Sequence, residues 1–223
     1  MTSTVMVNKF LVEYDRVMSL SAPSYSTSQI LDFLNRGQYA VTDDLVATKN
    51  YEMLGSLFAN YGYTSLSSTH PFIDNSFYVD LTTGTTRYWK YVESFSEFTR
   101  TQLPVISAAT FVKNEDIDRL MLGMLQDGGF DKVIFRRPKA FLDGSKLVVY
   151  YDSFTTLSKI YVNYVALPKT LVASAPGTGE TTTCELPESL HDNVVSKAVE
   201  LAKIAVGRVE EVAANLKLGY DGS

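Results

Sequence analysis

The stretch from Pro187 onward constrains this chain more than any other. Leu190, Val194, Ala198, Leu201 and Ala205 fall along one face of a helix, and Val195, Val199, Ala202 and Val206 lie beside them. A stripe that wide has to be covered on more than one side, and its many short side chains let neighbouring helices come close. Pro187 suits the first helical position, where a missing N–H costs nothing, and Glu188 complements the positive end of the helix. The rest of the chain must therefore supply apolar helix faces to lie against this one.

The N-terminal part supplies them. Val7, Phe10, Leu11, Tyr14, Val17 and Met18 recur at helical spacing, which predicts an amphipathic helix over Val5–Met18. Pro23 interrupts it. A second helix is predicted from Ser26 or Thr27, either of which can cap free N–H groups, to about Ala47, with Leu31, Leu34, Gln38, Val41 and Leu45 as its stripe. A third, over Asn50–Tyr61, turns Met53, Leu54, Leu57 and Phe58 inward and stops at Gly62.

The middle changes period. Ser76–Leu81, Arg87–Phe95 and Pro104–Phe111 are rich in β-branched and aromatic residues, and Thr82-Thr83-Gly84-Thr85 reads as a hairpin-like turn between the first two. Asn114 caps a short helix that ends at Gly128-Gly129. Lys132–Arg137, Lys146–Tyr151 and Ser158–Leu167 are further strands, with Asp143-Gly144 as turn chemistry and Pro168 as a stop. The expected fold class is α+β: a helical bundle made by the N-terminal helices and the long C-terminal helix, with a β-rich insertion between them. Residues 1–70 and 184–216 form the bundle in this reading, 71–183 the insertion with one short helix, and 217–223 a flexible tail.

Composition narrows the function. The chain has 223 residues, a net charge of -5 and a single cysteine, Cys184. The charge disfavours duplex nucleic acid as the main partner, and one cysteine excludes an intramolecular disulfide framework or a multi-cysteine zinc site. Neither a signal peptide nor a membrane span is predicted, so a cytoplasmic origin is expected. Fourteen Tyr and twelve Phe hint at interfaces, where a broad ring with a polar tip is useful.

Motifs for chemistry are sparse. Gly177-Thr178-Gly179-Glu180-Thr181 resembles a phosphate loop, but Glu180 stands where the lysine should be and would repel a phosphate. That stretch reads as a linker into the last helix. His70 and His191 are far apart in sequence. His191 and Cys184 could serve a small hydrolase-type enzyme, since a thiol near a helix N-terminus can be activated, but a structural role is the expectation for both. The acids Asp43-Asp44, Glu115-Asp116-Asp118 and Glu210-Glu211 read as solvated helix surface. The basic run Lys132, Arg136, Arg137 and Lys139 does not share one strand face, so it is a candidate for partner or DNA-channel contact and not a clean stripe. Tyr88-Trp89-Lys90-Tyr91 could stack bases or sugars, though sheet core or an interface is the plainer reading. No metal, cofactor or catalytic residue is expected.

The segment CELPESLHDNVVSKAVELAKIAV, with KIYVNYVALPKTLV before it, resembles the end of ring or head-to-tail adaptor proteins of crAss-like and other short-tailed bacteriophages. Tyr164, Pro168, Leu186, Pro187, Glu188 and His191 carry the match, and STSQILDFLNRGQYAVTDDLV, with Asn35 and Gln38 breaking its apolar stripe, resembles the family's first long helix. The region from about Pro71 to Ser107 has no counterpart. The resemblance implies a structural virion protein that forms a homo-oligomeric ring of about twelve copies below the portal. It further implies contacts with the portal and with neighbouring ring or tail proteins, a share in the DNA channel, and no membrane partner. A tail-tube or stopper subunit is the alternative in the same class. Leu216, Leu218 and Tyr220 in the tail are expected to dock on a neighbouring ring.

Overall fold

The computed structural model describes residues 1–17, 24–64, 76–85, 87–100, 103–113, 138–151, 156–173 and 182–220. The chain divides into two units, Met1–Leu57 with Leu167–Ser223 and Phe58–Ala166.

The first unit contains α1 (Ser3–Val17), α2 (Thr27–Ala47), a 3-10 helix (Tyr51–Leu57), a second 3-10 turn (Glu188–Leu190) and α3 (His191–Tyr220). Ser26 starts α2 with a capping box: its hydroxyl accepts from the Gln29 N–H, and the Gln29 side chain accepts from the Ser26 N–H. Two otherwise unpaired donors are thereby satisfied. Ile30, Leu31, Leu34, Gln38 and Val41 are buried along α2, and Val194, Val195, Ala198, Val199 and Ala202 along α3. The two helices touch closely at Gly37, where a Cβ would stand 2.6 Å from the Val194 carbonyl oxygen. α1 packs on both, inserting Met6, Phe10 and Tyr14. The expected width of the α3 stripe is thus explained by two covering helices, which bury it as far as Ala202, while Ile204 is 45% exposed.

The second unit is built of strands: β1 (Phe58–Tyr63), β2 (Ser76–Asp80), β3 (Tyr88–Arg100), β4 (Leu103–Ala108), β5 (Thr110–Phe111), β6 (Lys139–Asp143), β7 (Lys146–Tyr150) and β8 (Thr156–Ala166). Among the described residues they form two four-stranded sheets, ordered β1-β8-β3-β4 and β2-β7-β6-β5. The first is antiparallel throughout, and the second is mixed, because β5 and β6 run parallel. Tyr63, Phe98, Leu157, Ile160, Val162 and Tyr164 of the first sheet meet Val79, Ala140, Leu147 and Val149 of the second in one core. Each such aliphatic side chain contributes about 1.5–3 kcal/mol of burial. β7 is covered on its other face too, where Val148 and Tyr150 pack with Phe141.

The fold is therefore mixed α/β with a strand-rich core, which corrects the expectation of a helical bundle carrying a β-rich insertion. Two local errors lie behind it. Phe58–Tyr61, expected as the end of a helix, belongs to strand β1: Gly55 adopts a positive φ of 57° that breaks the helical path, and β8 supplies six partners from Phe58↔Val165 to Tyr63↔Ile160. Thr82–Thr85 is not a hairpin turn, because β2 pairs with β7 and β3 with β8. Asp80 shapes that turn by accepting from the Thr82 N–H at 2.9 Å and the Thr82 hydroxyl at 2.7 Å. Asp143-Gly144 does make the expected tight turn, between β6 and β7. The tail expected to be flexible from residue 217 is helical to Tyr220. The short helix at Asn114 and the strand over Lys132–Arg137 lie outside the described residues.

Candidate functional site

The residues singled out in LPESLH gather where α3 begins. Pro187 takes an extended conformation (φ -52°, ψ 148°), so the chain enters a single 3-10 turn before α3 starts at His191. The His191 ring is 3% exposed. One ring nitrogen, Nδ1, lies 2.9 Å from the Met1 nitrogen, and the other, Nε2, lies 2.8 Å from the Leu186 carbonyl oxygen. An ammonium donates and a carbonyl accepts, so these contacts fit the ring with Nδ1 accepting and Nε2–H donating, both nitrogens being used.

Cys184 lies in the same region. Its N–H donates to the Met1 carbonyl at 3.1 Å, Ser3 N–H donates to the Thr182 carbonyl at 2.8 Å, and Thr2 bridges Thr183 in antiparallel fashion. The start of the chain is thus stitched along residues 182–184. Burial pushes the Cys184 thiol pKa up, so the sulfur stays protonated near neutrality, opposite to what a nucleophilic thiolate needs.

A second set of contacts holds the returning chain. The Asn35 side chain pairs with both backbone groups of Leu171, and Gln38 Nε2 donates to Asn35 Oδ1 at 3.2 Å and to the Lys169 carbonyl at 3.4 Å. Glu185 accepts from the Lys169 N–H at 3.0 Å and pairs with its ammonium at 3.1 Å. Thr182 closes the connector onto Val172, its hydroxyl accepting from the Val172 N–H at 2.8 Å. Asn35, Gln38 and His191, marked in the sequence, therefore hold chain segments together. Chemically the arrangement is a clasp: neither a free imidazole lone pair nor an ionised thiol is available for a proton or acyl transfer.

The remaining candidates do not converge. Lys139 opens β6 opposite Tyr150, while Lys132, Arg136, Arg137, His70 and the acids at Glu115–Asp118 lie outside the described residues. Tyr88 and Tyr91 pack against the core of the second unit, and Lys90 Nζ sits over the Trp89 ring at 4.8 Å, so this run is sheet packing and not an open stacking surface. Asp43 and Asp44 are exposed near the end of α2. Leu216, Leu218 and Tyr220 lie on α3. Among the described residues no group of three acidic, His or Cys side chains could hold a metal ion, and no helix is long and apolar enough to cross a membrane. Sequence reasoning missed Met1, Thr182 and the Leu186 carbonyl as partners of the clasp, because backbone groups carry no signal in residue type. No protein-family model and no curated protein matches the chain.

Proposed function

We propose that this chain is a structural subunit of the head-to-tail connector of a short-tailed bacteriophage. It forms a homo-oligomeric ring below the portal, contributes to the DNA channel and tail attachment, and has no catalytic role. The observation that carries this reading is the use made of the LPESLH segment: one ring nitrogen of His191 holds Met1 and the other the Leu186 carbonyl, so the residue ties the first helix to the start of the last. In this reading His191, Asn35 and Gln38 serve assembly of the fold, and the two hydrogen bonds of His191 with the raised pKa of Cys184 favour it over the hydrolase-type alternative. The aromatic-rich strands of the second unit supply material for subunit contacts.

Mass photometry of the purified protein, alone and mixed with the portal ring of the same virus, tests the reading. A ring-sized species, or a mass added to the portal, is the expected result. A monomer in both samples across the accessible concentration range overturns it.

A further inference from the structure

We propose that His191 makes the clasp sensitive to acid: a proton taken up at Nδ1 removes the acceptor that holds Met1 and releases residues 1–3 from residues 182–184. This holds whether or not the chain forms rings.

The geometry of the two ring nitrogens is the first ground. Nδ1 lies 2.9 Å from the Met1 nitrogen and Nε2 lies 2.8 Å from the Leu186 carbonyl oxygen, which fits a neutral ring with an acceptor on one side and a donor on the other. The Met1 nitrogen donates as an amine and as an amide alike, so the contact turns on the form of the ring. A protonated imidazole has two N–H donors and no acceptor. Nδ1–H and the Met1 donor would then face each other, and the contact becomes a repulsion.

The surroundings are the second. His191 is 3% exposed, so a charged ring has little water to turn to and needs a partner of opposite sign. The acids near it on the described elements are engaged elsewhere or exposed: Asp192 on α3 pairs with Lys9 of α1, Glu185 of the connector pairs with Lys169, and Glu188 of the 3-10 turn is exposed. The Cys184 thiol is held protonated by its burial. α3 starts at His191, so the positive end of the helix adds to the Met1 nitrogen against a cationic ring.

The third is that the clasp can open by itself. Residues 1–3 are joined to residues 182–184 by the Thr2–Thr183 bridge and by the Ser3 and Cys184 N–H groups. α1 is anchored separately, by the buried Phe10 and Tyr14 and by the contacts of Lys9 with Asp192 and of Glu13 with Ser196. Losing the His191–Met1 contact therefore frays a short pairing and leaves the helices packed.

The chain has two histidines, His70 and His191, so nuclear magnetic resonance of the nitrogen-labelled imidazoles, with His70→Gln to assign them, follows the ring directly. At about pH 8 the His191 ring should carry its proton on Nε2. Between about pH 8 and about pH 5, the range in which imidazoles change charge, protection of the Ser3 and Cys184 amides against hydrogen exchange, corrected for the intrinsic effect of pH, should fall by about tenfold or more, the effect of one lost hydrogen bond. Amides in the middle of α2 should keep theirs. In His191→Gln, whose side chain does not titrate, the protection should be the same at both pH values. A proton on Nδ1 at about pH 8, or unchanged Ser3 and Cys184 protection at about pH 5, overturns the proposal. A loss that persists in His191→Gln assigns the acid effect to another group and overturns it too, and a loss shared equally by α2 is global unfolding and does the same. Should the Gln variant not fold, the wild-type and His70→Gln measurements decide.

Discussion

Asn35 holds Leu171 by both of its backbone groups: Oδ1 accepts from the Leu171 N–H at 2.7 Å and Nδ2 donates to the Leu171 carbonyl at 3.1 Å. A side-chain amide here imitates one rung of a β-ladder and lets a helix bind an extended segment. Leu171 itself is 1% exposed, so these groups have no water to fall back on. Replacing Asn35 by Ala should cost about 2–4 kcal/mol, since each buried group left unpaired costs about 1–3 kcal/mol. Urea unfolding of the two proteins measures it, and a midpoint within error of wild type would mean that the clamp carries no stability.

Gly37 and Gly207 form a matched pair for a packing test. A Cβ on Gly37 would meet backbone atoms of α3, Val194 O at 2.6 Å and Ala198 N at 3.2 Å, whereas one on Gly207 meets nothing within 4 Å. Gly37→Ala should destabilise by about 1–3 kcal/mol, because a helix backbone cannot move aside as a side chain can. Gly207→Ala should stabilise by up to about 1 kcal/mol through helix propensity. Thermal melts of both variants should shift in opposite directions.

His191→Ala should lose about 2–4 kcal/mol by leaving the Leu186 carbonyl unpaired and a void in its place. The loss should be accompanied by faster proteolysis or exchange of the segment around Thr182–Cys184, which the Met1 contacts hold. Limited proteolysis followed by mass mapping gives the readout; cleavage patterns identical to wild type would remove the clasp role.

Buried phenols make the fold sensitive to alkali. Desolvation raises the Tyr14 pKa to about 12, the neighbouring Tyr25 adding to it, and desolvation also raises Tyr63 and Tyr150. The folded values lie above the ordinary value of about 10, so the folded state holds these protons more tightly. Their stabilising contribution is present below about pH 10 and is lost as pH rises through the folded values. The melting temperature should therefore hold steady near neutrality and fall steeply above about pH 10. Ultraviolet titration should show delayed ionisation of part of the tyrosines. Tyrosines titrating together at the ordinary value in a folded protein would contradict the burial.

Cys184 should react slowly with alkylating reagents in the native state and quickly after unfolding, since its thiol is buried and its pKa raised. Fast native alkylation would place the sulfur at the surface and reopen a reactive role.

Features that lie within a few residues of their own cause could be read directly from the chain. The Ser26 cap, the stripe of α2, the Asp143-Gly144 turn and the wide apolar face of α3 were all legible because caps, turns and helical faces are made by neighbours along the chain. The roles of Asn35 and Gln38 were visible only as a polar break in a stripe, without their targets. Tertiary structure alone decided that Phe58–Tyr63 is a strand, since its stabilising partners in β8 lie about a hundred residues away and strand pairing carries no local signature. It alone decided that β2 and β3 belong to different sheets, so that a turn with hairpin composition joins no hairpin. For the clasp, residue type flagged His191 and Cys184, but their meaning depended on backbone atoms of Met1, Thr182 and Leu186, which every sequence contains and no pattern marks.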